Sequence, residues 1–297
     1  MRGDGDGWVV GSDGARRWGK HGAAGLLLRA PGAGGGSVVL LQHRAHWSHQ
    51  GGTWALPGGA RDSHETEVTA AIREAGEEAG IEPDRIRVRA AVTTAGGVSG
   101  WTYTTVVADA DTELETIANG ESLDLKWVPE SEVAGFPLHT GLAASWPTLE
   151  ARPLRLIVDT ANVVGARPNG WWRDRVGATR ALAQELATAL PRTVALKTGG
   201  FCWLTSLEFV LEGRAGEIAD LPAGRVHRAA ASGDDEIVRL CEESAHAETV
   251  VHAVATADRG LRSRLPGHVQ TLSPSEVLSW LDEADDARPG SDLSASG

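Results

Sequence analysis

The chain has 297 residues, 41% of them hydrophobic and 23% charged, and a formal net charge of −12. That balance excludes a protein that coats duplex nucleic acid through its overall field, and no apolar run approaches the ~18 residues of a membrane-spanning helix. Its opening, MRGDGDGWVVGSDG, has acids and glycines where a secretory signal has a basic and then an apolar segment, so a cytoplasmic protein with no membrane partner is expected.

The length suits two units of roughly 150 residues each. Residues 1–17 are rich in glycine and charge and are expected to be flexible. Next, the apolar runs GLLLRA (25–30) and SVVLLQHR (37–44) flank GAGGG at 32–36, which predicts a hairpin with a glycine-rich loop. Strands follow at 86–94, 101–109 and 123–128, with helices at 65–79 and 140–146, giving a mixed sheet with few helices. The two prolines of SWPTLEARP, just before the apolar LRLIVD, set a domain boundary near Glu150. Beyond it, strand patterns at 154–158, 206–211, 249–255 and 268–272 alternate with helical ones at 173–190, 234–246 and 274–283. Such alternation predicts a parallel sheet covered by helices. The expected fold class is α/β, with domains at 18–150 and 151–282 and a flexible acidic tail at 283–297. Residues 151–282 hold 15 basic and 16 acidic side chains, so the negative total does not bar a local RNA-binding groove there. Cys202 and Cys241 lack zinc or disulfide spacing and read as buried thiols.

The helix predicted over 65–79 raises a physical problem. At 100° per residue, Val68, Ala71, Ile72, Ala75 and Ala79 form an apolar side, while Glu67, Glu74, Glu77 and Glu78 share an adjacent one. Like charges three or four residues apart cost a few tenths of a kcal/mol per pair, and Gly76 inside the helix costs about 1 kcal/mol relative to alanine. A hard divalent cation reverses that balance by drawing carboxylates together; the alternative is a solvated acidic face. The surrounding segment GARDSHETEVTAAIREAGEEAGI, residues 59–81, matches G-x5-E-x7-R-E-U-x-E-E-x-G-U, where U is apolar. It resembles the signature of the Nudix hydrolases at Gly59, Glu65, Arg73, Glu74, Glu77, Glu78 and Gly80, with Ala75 smaller than the residue usual there.

The resemblance implies an α/β/α sandwich with a loop-helix-loop metal site, and hydrolysis of a nucleotide's diphosphate linkage with Mg²⁺ or Mn²⁺. It implies Glu74, Glu77, Glu78 and the Gly59 carbonyl as metal ligands, with Arg73 and Glu65 orienting them. Glu77, Glu78 and Arg73 then belong to the catalytic group, and Glu121, in NGESLDLKWV, is the candidate for one further base or ligand. The alternative for Glu121 is an exposed loop acid. Trp47, Trp54 and Trp101 are candidates to stack on a base, whereas His43, His46 and His49 read as substrate contacts or packing rather than a metal site.

In the second region, LRLIVDTANVVG places Asp159 and Asn162 past a strand, and VVHAVATADRGLRSRL places Asp258 likewise. Ligands of parallel sheets bind outside the carboxyl ends of strands. SGDDEIVRL offers Ser232 as a cap with Asp234 and Asp235 at a helix start, where the dipole alone would favour acids. VDTAN, GDDEIV and TADRGLR resemble the PIN-like fold and its NYN branch of metal-dependent ribonucleases, although Thr160 stands where the branch often has glycine. The resemblance implies a Rossmannoid domain with a parallel sheet, in which Asp159, Asp234 or Asp235, and Asp258 hold Mg²⁺ or Mn²⁺ and Asn162 orients the first acid or touches phosphate. GWWRDR offers Trp171, Trp172, Arg173 and Arg175 to single-stranded RNA, or else its indoles pack between the domains. The leading expectation is a bifunctional hydrolase, a Nudix pyrophosphohydrolase joined to a PIN-like ribonuclease. The alternatives are a nucleotide-sensing Nudix domain that regulates an RNA-processing or RNA-binding partner domain, and a second domain used only for binding or dimerisation. Which nucleotide is cleaved, and the oligomeric state, are left open.

Overall fold

A run such as AAGLLLRAP has no polar side chain before Arg29 and suits a strand only where both faces are covered. The computed structural model, which describes residues 3–11, 14–96, 100–222, 224–243 and 249–286, makes it a central strand. The chain divides into two compact units, Met1–Ala151 with Thr193–Phe201, and Arg152–Arg192 with Cys202–Gly297. The first contains β1 (Trp8–Val10), β2 (Arg16–Trp18), β3 (Ala23–Pro31), β4 (Ser37–Arg44), β5 (Trp54–Ala55), β6 (Gly58–Ala60), α1 (Glu67–Ala79), β7 (Arg87–Gly96), β8 (Thr102–Asp109), β9 (Ser122–Pro129) and α2 (Thr140–Leu149). β3 is central in the order β5-β4-β3-β8-β7, with β6 also on β3 and β9 on β4. It runs parallel to β8 and antiparallel to β4, so the sheet is mixed.

Strand alternation divides the core of this unit into two layers. Leu26, Leu28, Leu40, Val106 and Ala108 meet Ala70, Ala71, Ala75 and Ala79 of α1, whose small side chains let the helix lie close to the sheet. The alternate set, Leu27, Val39, Leu41 and Val107, is equally buried. Arg29 falls in that second layer by parity and is fully buried there. Its Nε and Nη2 donate to Glu130 Oε1 at 3.0 and 2.7 Å, and Nη2 also donates to the Leu149 carbonyl. Glu130 further accepts from Ser37 Oγ at 2.5 Å and from the Ala151 amide at 2.7 Å. One buried ion pair therefore joins β3, β4 and the end of α2.

The second unit is built on β10 (Ala151–Asp159), α3 (Thr160–Gly165) and α4 (Arg175–Thr188), then, after β11 (Arg192–Ala195), which falls in the first unit but for Arg192, on β12 (Phe201–Leu204), β13 (Leu207–Leu211), β14 (Gly224–Arg228), α5 (Gly233–Glu243), β15 (Val251–Ala255), α6 (Arg259–Arg264), β16 (Gln270–Leu272) and α7 (Pro274–Asp286). Within a seven-stranded sheet, five strands pair in parallel in the order β14-β13-β10-β15-β16. The chain goes outward from β10 through β13 to β14, then resumes on the other side of β10 with β15 and β16. The strand order thus reverses between β10 and β15, where parallel sheets open a crevice at their carboxyl ends. Ile237, Leu240 and Cys241 of α5 pack on Ile157, Val210 and Val254. Among the described residues no helix is long and apolar enough to cross a membrane.

The structure corrects one expectation. Residues 1–17 are not flexible throughout, because β1 pairs antiparallel with β2, Trp8 opposite Trp18; glycine and aspartate around these triplets concealed the pairing. Around the prolines of SWPTLEARP, α2 continues through Pro147 to Leu149 and β10 begins at Ala151. Buried Trp146 and Leu149 hold that stretch in the helix. At the other end α7 extends to Asp286, and the rest of the expected tail, residues 287–297, lies outside the described residues.

The Arg29–Glu130 pair generates a prediction. Glu130→Ala leaves a fully buried guanidinium without its counter-charge and is expected to destabilise the protein by about 3–5 kcal/mol. Urea unfolding followed by tryptophan fluorescence reads this; a loss below about 1 kcal/mol would show that Arg29 finds other compensation.

Candidate active site

Caps fix where α1 begins and ends, and so where its acids project. Thr66 Oγ1 accepts from the Thr69 amide at 3.1 Å, and Gly80, at φ 70°, turns the chain out of the helix in the left-handed region that glycine tolerates. Arg73 then gathers the acids around it. Its Nε donates to Glu65 Oε1 at 2.7 Å, Nη1 to Glu74 Oε1 at 2.9 Å and Glu77 Oε2 at 3.3 Å, and Nη2 to the Ala60 carbonyl at 2.9 Å. The guanidinium holds the Glu65 carboxyl below its usual range.

Glu78 differs from the exposed acid that periodicity suggests. It is 5% exposed, and its Oε2 accepts from the Gly58 amide at 2.7 Å. Burial pushes its carboxyl up to about 8, with the neighbouring Glu74 adding to the effect. Burial likewise pushes Glu74 up to about 7, against the pull of Arg73 and with a contribution from Glu77 and Glu121. Gly59 lies against this pair so closely that a Cβ there would stand 2.5 Å from Glu74 Oε1. Oxygen donors crowded in a dehydrated corner, beside a backbone stripped of its side chain, fit a hard divalent cation.

Glu121 reaches the same place through the loop before β9. Asn119 Nδ2 donates to the Glu77 carbonyl at 3.1 Å and the Ile117 amide to the Ala79 carbonyl at 2.9 Å, so the loop satisfies carbonyls that the end of α1 leaves unpaired. Glu74, Glu77, Glu78, Glu121, Gly59 and Arg73 all line one cleft of about 900 Å³. Trp47 and Trp101 line it too, whereas Trp54 stacks on His43 at 4.7 Å. Sequence reasoning missed Trp8 and Trp18, which join the lining. A separate group, Asp4, Asp62 and His64, has potential ligand atoms within 4.8 Å of one another, but Asp4 there accepts from the Ser63 amide and hydroxyl.

In the second unit, Asp159, Asn162, Asp234 and Asp258 line a pocket of about 260 Å³ outside the ends of β10 and β15. Asp159 Oδ2 accepts from Thr256 Oγ1 at 2.8 Å, Asn162 Oδ1 accepts from the Ala257 amide at 2.8 Å, and Asp258 Oδ1 accepts from the Leu261 amide at 2.8 Å. Burial raises the carboxyls of Asp159 and Asp234, and Asp258 raises Asp234 further. Asp235 is not brought to the pocket; it pairs with Arg264 at 2.5 Å. Glu212, which sequence reasoning missed, is. It follows the apolar LEFVL as Asp159 follows LRLIV, and that shared position could have revealed it. The expected RNA contacts Trp171, Trp172 and Arg173 lie outside the lining: Trp171 carries Arg175 at 5.1 Å and Trp172 is exposed.

Comparison with known proteins decides the family. The model of the NUDIX domain matches residues 19–150. "Putative 8-oxo-dGTP diphosphatase 3" of Mycobacterium tuberculosis is 53% identical over 209 residues, covering 69% of this chain and 86% of that protein. The chain belongs to the Nudix family. A "Nucleoside triphosphate pyrophosphatase/Nudix hydrolase fusion protein" of Bifidobacterium longum is 42% identical over 153 residues, half of this chain and 31% of that one. Among solved structures, a Nudix hydrolase from M. smegmatis, RenU, is 62% identical over 48% of this chain and 91% of its own, with a TM-score of 0.46. The first unit carries the Nudix fold, and the protein is a pyrophosphohydrolase. Nudix enzymes generally use divalent metal ions, the chemistry that the Glu74 and Glu78 corner fits.

The raised carboxyls predict a pH dependence of cation binding. Relative to an ordinary 4.5, values of about 7 and 8 mean that the folded metal-free protein holds more protons than the unfolded chain across that interval. Its stability therefore falls as pH rises through the window, and a cation must displace those protons to bind. Mn²⁺ is expected to bind more weakly at pH 6 than at pH 8 and to release protons near pH 7. Titration calorimetry in buffers of different protonation enthalpy checks this; binding without proton release would place the cation elsewhere.

Proposed function

We propose that the first unit cleaves the diphosphate linkage of a nucleoside triphosphate, with Mg²⁺ or Mn²⁺ held by Glu74, Glu77, Glu78 and the Gly59 carbonyl. The observation that carries this reading is the pair of buried Glu78 and half-buried Glu74 lining a cleft of nucleotide size. The printed name of the Mycobacterium tuberculosis relative makes 8-oxo-dGTP the first substrate to test. A bound cation supplies charge for the phosphate oxygens and acidifies water. The chain's own residues do the rest. Arg73 keeps Glu74 and Glu77 in place through its hydrogen bonds. Glu121, exposed in the cleft, takes a proton from the attacking water. The water oxygen bonds to phosphorus, the bridging P–O bond breaks, and nucleoside monophosphate and pyrophosphate leave.

Glu78→Gln tests this assignment. The amide keeps the shape of the side chain and an oxygen for the Gly58 amide, so the fold is retained while a ligand charge is lost. Pyrophosphate release from a nucleotide panel with Mg²⁺ or Mn²⁺ is expected to fall about 10²-fold or more. Thermal melting verifies the fold, and a folded variant with wild-type turnover would remove Glu78 from the site.

A second reading, that the second unit is a PIN-like ribonuclease of the NYN type acting on single-stranded RNA, is favoured by one observation. Asp159, Glu212, Asp234 and Asp258 come from four separate segments yet line one pocket at the strand-order reversal. Converging acids of this kind suit Mg²⁺ or Mn²⁺ and attack on a phosphodiester. On this reading Asp159, Asp234 and Asp258 would hold the cation, and Asn162 orients Asp159, since the Asn162 backbone amide donates to its Oδ1 at 3.2 Å. Asp258→Asn is expected to suppress metal-dependent cleavage of labelled RNA and to preserve nucleotide hydrolysis, with Glu78→Gln doing the reverse. RNA left intact by the wild type would instead favour a nucleotide-sensing enzyme whose second unit only binds, and loss of both activities in one variant would defeat their independence.

A further inference from the structure

One wall of the catalytic cleft lies outside the Nudix motif. β1 and β2 bring Trp8, Arg16 and Trp18 into its lining. The two arms stay paired beyond the strands: the Gly19 amide donates to the Gly7 carbonyl and the Lys20 amide to the Gly5 carbonyl, both at 2.8 Å. The Gly5 amide donates to Asp62 Oδ1 at 2.7 Å, and Asp4 Oδ1 accepts from the Ser63 amide at 2.9 Å. Asp62 and Ser63 lie in the loop that runs from Gly59 to α1, so the hairpin is tied to the opening segment of the motif itself.

The indoles on this hairpin are only partly covered. Trp8 and Trp18 meet edge to face at 5.4 Å, yet remain 42% and 40% exposed. Trp18 is also fixed through its carbonyl, which accepts from Trp101 Nε1 at 3.1 Å. Arg16 lies over the Trp8 ring at 4.9 Å, and His49, from the loop after β4, meets the same indole at 5.6 Å. That loop also carries Trp47, which is 71% exposed and lines the cleft. Indole faces and a planar guanidinium present stacking surfaces to a flat ring, and the acids of α1 line the same cleft. Sugars and inorganic phosphate chains have no such ring.

We propose that the β1–β2 hairpin is the base-recognition wall of the cleft. The base of a nucleoside triphosphate stacks on one of the two indoles, Trp8 or Trp18, with the other against its edge, Trp47 meets it from the loop after β4, and the phosphates extend toward Glu74 and Glu78. This assignment rests on the nucleotide reading of the site given above and names the element that selects the substrate.

Trp8→Leu and Trp18→Leu keep apolar bulk on the strands and remove the stacking surface, and Trp8→Phe and Trp18→Phe restore an aromatic ring. The assay is steady-state hydrolysis of 8-oxo-dGTP and dGTP beside base-free 2-deoxyribose 5-triphosphate. Loss of stacking is expected to raise KM for the nucleotides roughly tenfold or more, with kcat within about threefold, KM for the base-free substrate unchanged, and partial recovery in the Phe variants. Equal losses on both substrate classes would reduce the hairpin to a structural support, and unchanged nucleotide KM would overturn the assignment. If the Leu variants do not fold, hydrogen exchange on the wild type decides. Non-cleavable α,β-methylene dGTP should protect amides of residues 7–19, and α,β-methylene deoxyribose triphosphate should not; identical patterns would overturn the proposal. A wild type inactive on every nucleoside triphosphate would sink the nucleotide reading and this inference together, whereas an active wild type with unaffected variants would sink this inference alone.

Discussion

Two carboxylates in the C-terminal half of α1, Glu78 buried and Glu74 half-buried, govern the first unit. Glu74 and Glu78 repel each other where solvent can screen little, and burial raises both. A lone helix would relieve this by fraying or turning its acids outward. Here it cannot, because Ala70, Ala71, Ala75 and Ala79 seat the adjoining face on the sheet. Loops also hold the acidic face: the Gly58 amide fixes Glu78, and Asn119 and Ile117 take up carbonyls at the helix end. Arg73 offsets part of the crowding with one guanidinium shared among Glu65, Glu74 and Glu77. The fold thus stores a local excess of negative charge that packing elsewhere sustains, a form of preorganisation toward a cation.

The second unit arrives at crowded acids by another route. Its carboxylates come from strand ends and a helix start, and three of them already have backbone or hydroxyl partners: Thr256 and the Asn162 amide for Asp159, the Leu261 amide for Asp258, and the Gly233 amide for Glu212. Those partners orient the oxygens without neutralising them. The nearby cation Arg264 pairs with Asp235, leaving Asp234 raised by burial and by Asp258. Parallel-sheet topology, not helical periodicity, brings these groups together.

That difference explains what could be read in advance. The Nudix acids are contiguous on one helix, so residue spacing carries their relative placement directly. Spacing could not tell that Glu78 is buried, because the strand that covers it, with Gly58, is local only in space. In the second unit Asp159 and Asp258 were legible because each follows an apolar strand, but choosing between Asp234 and Asp235 needed the rotation of α5, since neighbours on a helix point about 100° apart. Glu212 obeyed the strand-end rule and was passed over in a sequence where an acid after a strand is common. The β1–β2 hairpin was hidden for a compositional reason: strands of three residues, set among glycine and aspartate, carry too little pattern to outweigh their surroundings.

The hairpin also bears on how an anionic substrate meets an acidic protein. A total of −12 opposes the approach of a nucleoside triphosphate, but charges beyond a Debye length of about 8 Å are largely screened at physiological salt. What acts on the substrate at contact is therefore the lining of the cleft, where Arg16, Arg17 and Arg44 stand along with the glutamates. Arg16 and Arg17 also lie over the rings of Trp8 and Trp101, so the same side chains that present stacking surfaces bring positive charge to the rim. Attraction for the phosphates and selection of the base can thus reside in one small element, while the buried glutamates are left to the cation and the chemistry.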